Sequence, residues 1–316
     1  MTRNKTKEGK QNFFASLRKN VALSPLSTFH IGGRAEYFRP AVSPEDLIAA
    51  ISAARRSRVR YRIVGGGSNV VFPDASLPGV LIRVLGGKLQ FNENVITVDA
   101  GVPLKDVIER SIRAGLKGLE TLSGIPGTIG GAVVGNAGAY GHSMAEVVDK
   151  VEVWDGRQRR WIENSQCDFD YRESIFKKKP WIILRIVLRF GRGDPAELRR
   201  TSREIIKIRL KKYMPGLRCP GSFFKNVLVR DISKHSLSLI NTEKIIDGKI
   251  PTGHLLEEVG AKGMRTGGIR IASFHANLFI NEKRGTAADV RKLSRILKAR
   301  VRKKFGIKLE EEVRYF

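Results

Sequence analysis

The stretch Ser123–Gly141, SGIPGTIGGAVVGNAGAYG, decides how the rest of the chain is read. Seven of the eighteen residues from Gly124 to Gly141 are glycine, so the segment has few side chains to pack with and much backbone entropy to lose. Yet Ile125, Ile129, Val133 and Val134 do not suit a disordered linker. A segment of this kind is expected to be ordered against something flat and rigid, and a bound cofactor meets that description. A second glycine run points the same way. In Ile63–Phe72, IVGGGSNVVF, a strand enters Gly65, Gly66, Gly67, Ser68 and Asn69 and then resumes. Successive N–H groups in such a loop make a nest suited to a pyrophosphate. The spacing is not that of a dinucleotide fingerprint, no helix opens directly behind it, and no Gly-Lys-Ser/Thr follows, so it is not a P-loop. Taken alone, the loop also reads as a tight hairpin turn.

Around these loops strands and helices alternate, which makes the class α/β or α+β. SPEDLIAAISAARRSRV predicts a helix with Ser43 as N-cap, Pro44 in the first turn and Leu47, Ile51 and Ala54 on one face. The segments RYRIVG, VITVDAG, KVEVWD, QRRWIE and WIILRIVLRF read as strands, and PLKDVIERSIRAG as a helix. A helix opening at Asp194 and Pro195 places a domain boundary just before it. The late segment RGTAADVRKLSRILKARVRKKFG carries a buried stripe of Val290, Leu293, Leu297 and Val301.

At 316 residues with 41% hydrophobic content, the chain has room for two domains with cores. Residues 1–20 are basic with few apolar anchors, and read as a flexible arm. No apolar signal-peptide core and no run of eighteen apolar residues occurs. Cys167 and Cys219 match no disulfide framework and no zinc spacing, so no metal is expected and a reducing, cytoplasmic setting fits. The net charge of +27 would ordinarily suggest nucleic acid, but aromatics are only 8% and no RNA-binding motif is present.

Seven motifs in register, STFHIGG, GGGSN, GIPGTIGGAVVGNAGAYG, YRESIF, GSFFKN, HANLFIN and FGIKLEEEVR, make the chain from about residue 22 onward resemble the UDP-N-acetylenolpyruvoylglucosamine reductase family. The resemblance implies an α+β protein: a vanillyl-alcohol-oxidase-like (PCMH-type) FAD-binding fold of two subdomains over 21–193, then a C-terminal α+β substrate-binding domain over 194–316. It implies that FAD is held by Gly65, Gly66, Gly67, Ser68 and Asn69 together with Ile125, Pro126, Gly127, Thr128, Gly131, Asn136 and Gly138. NADPH is the implied hydride donor, and a UDP-sugar enolpyruvyl ether the implied acceptor. A monomer acting on small molecules is expected, with no membrane or nucleic acid partner.

The chemistry gives a reason for Ser222, set in GSFFKNV between a glycine and two phenylalanines. Hydride added to the β carbon of an enolpyruvyl ether leaves charge on the α carbon, delocalised into the carboxylate, and that carbon needs a proton. By resemblance Ser222 delivers it, while Arg172 and Glu312 polarise the carboxylate. An arginine stays charged and binds a carboxylate in bidentate fashion. Glu312 helps an enediolate only when protonated or bridged by a proton, and Glu310, on the same face of an extended chain, is the fallback. Lys225 and Asn226 match positions that hold the substrate's diphosphate region. Read alone, Ser222 is a turn residue and Arg172 a surface partner of Glu173. His275 is read as satisfied within the fold.

The sequence departs from the family pattern in three places. Val227 stands where proline is usual, residues near 228–250 look inserted, and the separation of Arg172 and Ser222 resembles the subgroup without a tyrosine-bearing substrate loop. Two other readings stay open: an FAD-dependent sugar or alcohol oxidase of the same fold, and a basic nucleic-acid-binding protein.

Overall fold

The expected helix forms over Pro44–Arg56 (α1), where Ser43 Oγ accepts from Asp46 N–H at 3.1 Å and Leu47, Ala50, Ile51 and Ala54 are buried. A polar cap satisfies one of the unpaired first-turn donors, and the apolar stripe supplies the reason to dock. The computed structural model describes residues 13–316, and their chain divides into two units. The first holds residues up to Val21, Ala35–Gly66 and Pro78–Lys211; the second holds Ala22–Arg34, Gly67–Leu77 and Lys212–Phe316.

Two larger sheets build the first unit. One runs in the order Arg18–Ala22, Arg34–Ala41, Leu77–Val84, Tyr61–Val64, the last pair parallel with Tyr61 opposite Val80. Such a parallel pair needs a crossover of a dozen or more residues. Leu47, Ile51 and Ala54 of α1 share a core with Val80 and Ile82 of this sheet. The other sheet has five antiparallel strands ordered Arg159–Glu163, Val148–Trp154, Ile182–Arg189, Val95–Asp99, Leu89–Asn92. Its buried residues Ile96, Val98, Val151, Val153, Ile186 and Leu188 pack with the helices Leu104–Arg113 (α2) and Ile129–Val134 (α3). Along Val95–Asp99 the buried residues Ile96 and Val98 alternate, whereas the central strands Val148–Trp154 and Ile182–Arg189 bury consecutive residues on both faces.

The second unit is built on the helix Ala287–Phe305. Thr286 and Asp289 form a capping box, and Val290, Leu293, Leu297 and Val301 are fully buried, as the stripe predicts. They pack with Phe223, Phe224 and Phe279, of which Phe223 and Phe279 stack at 3.8 Å. The two early segments are tied in by polar contacts. Asn281 Nδ2 donates to the carbonyls of Phe29 and His30 at 3.1 and 3.0 Å. Asp74 accepts from Ala287 and Ala288 N–H at 2.7 and 3.0 Å.

Two expectations change, on the arm and on the boundary. Of the arm over 1–20, residues 1–12 lie outside the described residues, but Phe13 and Leu17 are buried in the first unit's core and Phe14 lies 5.1 Å from the Tyr37 ring. Two apolar anchors suffice to dock a short segment that charge composition alone marks as free. The boundary expected before Asp194 falls at Lys211/Lys212, because the helix Pro195–Lys212 buries Leu198 in the first unit's core and joins Ser202 to Ser123 at 2.8 Å. The segment near 228–250 is closed at its neck by antiparallel pairing of Val227–Leu228 with Lys249–Ile250. It contains a short helix, Lys234–Ser238, and contributes Ile240 and Ile250 to the core. Among the described residues, no helix is long and apolar enough to cross a membrane.

Candidate active site

In the first unit the two glycine loops meet. A Cβ on Gly66 would lie 2.7 Å from Gly127 Cα, and one on Gly65 would lie 2.5 Å from Thr128 Oγ1. Neither position tolerates a side chain without moving backbone or the cap of α3, whose Thr128 Oγ1 accepts from Gly131 N–H at 3.3 Å. Among the described residues, the N–H groups of Gly65, Gly66, Gly127 and Thr128 meet no backbone acceptor. Three of these four donors belong to glycines and none is spent on a backbone partner, which suits the pyrophosphate of FAD.

The order of Gly124–Gly141 comes from the protein itself as well. Ile129 and Val133 are fully buried, Gly130 N–H donates to Ala100 O at 2.9 Å, and a Cβ on Gly130 would lie 2.8 Å from that of Ala100. Ile125 packs partly buried on the same core, and Gly138 pairs with Ser143. Asn136 spends its whole amide internally: Nδ2 donates to Asp170 O at 2.9 Å and Oδ1 accepts from Ala145 N–H at 3.0 Å. Through Asp170 it holds the turn that carries Arg172.

That turn is closed by reciprocal bonds between Asp170 and Glu173 at 3.2 and 3.0 Å, with Arg172 at φ 56°, a left-handed conformation unfavourable for a side chain of this size. Ser174 Oγ, fully buried, donates to Val134 O at 2.7 Å, and Lys177 Nζ donates to Arg172 O. The arginine backbone is thus fixed from three sides. Glu173, the alternative partner of Arg172, pairs with Lys177 at 3.3 Å.

The second unit carries Gly67, Ser68 and Asn69. A Cβ on Gly67, at φ +71°, would overlap Leu26 O, so glycine is required there by the unit's own chain. Asn69 Nδ2 donates to Glu312 O at 3.1 Å, while its Oδ1 is buried with no partner among the described residues. A buried carbonyl of this kind is costly unless a donor reaches it. This is a second feature of the chain that fits a bound dinucleotide.

Ser222 sits in a tightly pinned segment. Its backbone bridges Leu278, Phe223 N–H donates to Asn277 O at 3.0 Å, and Asn277 forms a reciprocal side-chain pair with Phe224 at 2.9 and 2.8 Å. Tyr213 Oη lies 3.1 Å and Lys212 Nζ 3.4 Å from Ser222 Oγ. Glu312 N–H donates to Phe223 O at 2.8 Å, which places the two expected groups on neighbouring backbone. Alternation puts Glu311 toward Lys298, at 2.8 Å, and Ser294. Glu310 pairs with Lys225 at 3.0 Å, and Asn226 Oδ1 accepts from Thr252 N–H at 3.2 Å.

His275 Nδ1 accepts from Asn277 N–H at 3.1 Å, which leaves the proton of the neutral ring on Nε2. Burial and the nearby Lys212 ammonium hold this imidazole down at about 4. Burial also pushes the Cys167 thiol up to about 12 and raises Cys219, so both stay protonated. Lys212 and Tyr213 were not among the expected residues. In sequence they are only the end of a helix before Pro215, ten and nine residues ahead of the serine.

The family model described as an FAD binding domain matches residues 35–160, and that of the UDP-N-acetylenolpyruvoylglucosamine reductase C-terminal domain matches residues 214–316. The chain is 45% identical over 297 residues to the UDP-N-acetylenolpyruvoylglucosamine reductase of Solibacter usitatus, covering 94% of this chain and 95% of the relative. It is 31% identical to that of Pseudothermotoga lettingae, covering 95% and 98%. Among solved structures, it is similar to the UDP-N-acetylenolpyruvylglucosamine reductase of Thermus caldophilus, with a TM-score of 0.75 and 29% identity, covering 95% of this chain and 99% of the other.

Proposed function

Because the chain belongs to the UDP-N-acetylenolpyruvoylglucosamine reductase family, we propose that it draws hydride from NADPH and protonates its product through Ser222. The protein is an FAD-dependent oxidoreductase with the PCMH-type FAD-binding fold and a C-terminal reductase domain. It reduces the enolpyruvyl group of UDP-N-acetylglucosamine enolpyruvate, giving UDP-N-acetylmuramate for peptidoglycan synthesis. FAD, when bound, supplies the two-electron relay between the nicotinamide and the enolpyruvyl double bond.

The chain's residues do the rest. The backbone donors of Gly65, Gly66, Gly127 and Thr128, and Asn69 Oδ1, receive the dinucleotide. Arg172 holds the substrate carboxylate through its guanidinium, and Glu312 shares a proton with the developing enediolate. Ser222 gives its proton to the α carbon: the Oγ–H bond breaks, a C–H bond forms and the electron pair stays on Oγ. Lys225 and Asn226 hold the diphosphate region. We read the enzyme as a cytoplasmic monomer that acts on small polyanions and not on nucleic acid.

The observation that carries this reading is the placement of Ser222 Oγ beside Lys212 and Tyr213 on a backbone pinned by Asn277. A turn serine needs no cation and no phenol. In Ser222→Ala, reduction by NADPH is expected to keep its wild-type rate, while reoxidation by the enolpyruvyl sugar slows by about 10²-fold or more. Reoxidation at the wild-type rate would remove Ser222 from the mechanism.

A further inference from the structure

A serine hydroxyl has one hydrogen to give and two lone pairs to fill. Lys212 Nζ, 3.4 Å from Ser222 Oγ, can only donate and takes one lone pair. Tyr213 Oη, at 3.1 Å, can donate or accept. If the phenol donates, both lone pairs of Oγ are filled and the serine hydrogen is turned away from the protein toward a substrate. If the phenol accepts, that hydrogen is consumed inside the fold. The choice matters again once the proton has left, because the serine oxyanion then needs donors and the phenol has a more acidic hydrogen than any aliphatic alcohol.

We propose that Tyr213 is the positioning residue of the proton-delivering hydroxyl: it donates to Ser222 Oγ before transfer and returns a proton to it afterwards. The inference rests on the reading of Ser222 as the proton donor. In the first step the Ser222 Oγ–H bond breaks and the α carbon gains the hydrogen, the oxyanion being held by Lys212 and Tyr213. In the second, the Tyr213 Oη–H bond breaks and the Ser222 Oγ–H bond re-forms. The phenolate, 5.2 Å from whose ring centroid lies the Lys212 ammonium, then takes a proton from solvent water, closing the balance. Two acids touch the serine, the Tyr213 phenol at 3.1 Å and the Lys212 ammonium at 3.4 Å; the phenol is the nearer, and the charge that the lysine keeps holds the oxyanion. The ring of Tyr213 has a separate, structural use: with Leu217 it packs on Ala272, Leu278 and Ile280. Tyr213→Phe keeps that packing and removes only the hydroxyl.

The test is stopped-flow absorbance of the FAD-loaded enzyme under anaerobic conditions, in H2O and in D2O, on wild type, Ser222→Ala and Tyr213→Phe. In Tyr213→Phe, reduction by NADPH, half-saturation by the enolpyruvyl sugar and the melting temperature are expected to match wild type. The limiting reoxidation rate is expected to fall by about 10- to 100-fold, with a larger solvent isotope effect than in wild type. If Ser222→Ala is slow but Tyr213→Phe has the wild-type rate and isotope effect, the role of Tyr213 is overturned while the serine stands. If Ser222→Ala itself reoxidises normally, the reading of the serine falls and this inference with it. A fall confined to half-saturation or melting temperature would make Tyr213 a packing residue and overturn the proposal.

Discussion

Asn136 and His275 are polar residues whose side chains are spent on the fold itself. Asn136 is 6% exposed and has both halves of its amide committed, to Asp170 O and Ala145 N–H. Asn136→Ala leaves two buried partners unsatisfied and is expected to cost about 1–3 kcal/mol in urea unfolding. Reoxidation by substrate should suffer more than reduction, because the turn of Arg172 loosens. Gly66→Ala forces the glycine loops apart against backbone, and is expected to lower the FAD content of purified protein and stability by about 1–3 kcal/mol. His275 has its folded value held at about 4, below the ordinary 6.5, by burial and by Lys212 at the end of one helix, with Lys262 acting the same way and Glu257 against it. The unfolded chain therefore binds the proton first, so this contribution is complete above pH 6.5 and is lost as pH falls toward 4. Allowing for screening at a half-buried ring, the slope amounts to about 1–2 kcal/mol, and His275→Gln should flatten it in urea titrations across that window.

At the scale of elements, the helix Ala287–Phe305 is where sequence and structure agree most fully, since its cap, stripe and basic last turn are all local signals. Leu297→Ala, fully buried, is expected to destabilise the protein by about 2–5 kcal/mol, and Thr286→Ala by about 1 kcal/mol, both read by thermal or urea unfolding. The helix Pro195–Lys212 was legible for the same reasons, with Asp194 Oδ1 accepting from Ala196 N–H at 3.0 Å, but its allegiance was not. Whether Leu198 belongs to the core before it or after it depends on long-range packing, which periodicity does not encode. The glycine passage was legible as an ordered element and not a linker, yet part of the reason lies in the protein's own packing. Its glycines permit a close backbone approach to Ala100 and to Gly66. Of the residues near Ser222, the motif gave the serine, while Lys212 and Tyr213 arrive from a helix end whose sequence carries no chemical signature.

For the whole molecule, the second unit is discontinuous: 22–34 and 67–77 join Lys212–Phe316. The contacts that recruit them, Asn281 to Phe29 and His30 and Asp74 to the Ala287 helix, span more than two hundred residues and leave no trace in local pattern. The net charge of +27 acts at this scale too. Both small-molecule substrates are polyanions, so kcat/KM is expected to fall several-fold as ionic strength rises from about 0.01 M to 0.3 M, with kcat little changed. Steady-state rates in a salt series check this. The central claim, that this chain reduces an enolpyruvyl sugar through FAD, is tested most directly by one anaerobic absorbance experiment. The purified protein is expected to show a flavin spectrum that NADPH bleaches and that UDP-N-acetylglucosamine enolpyruvate restores. A flavin that NADPH bleaches and the sugar fails to restore would contradict the substrate, and a protein that binds no flavin would contradict the account as a whole.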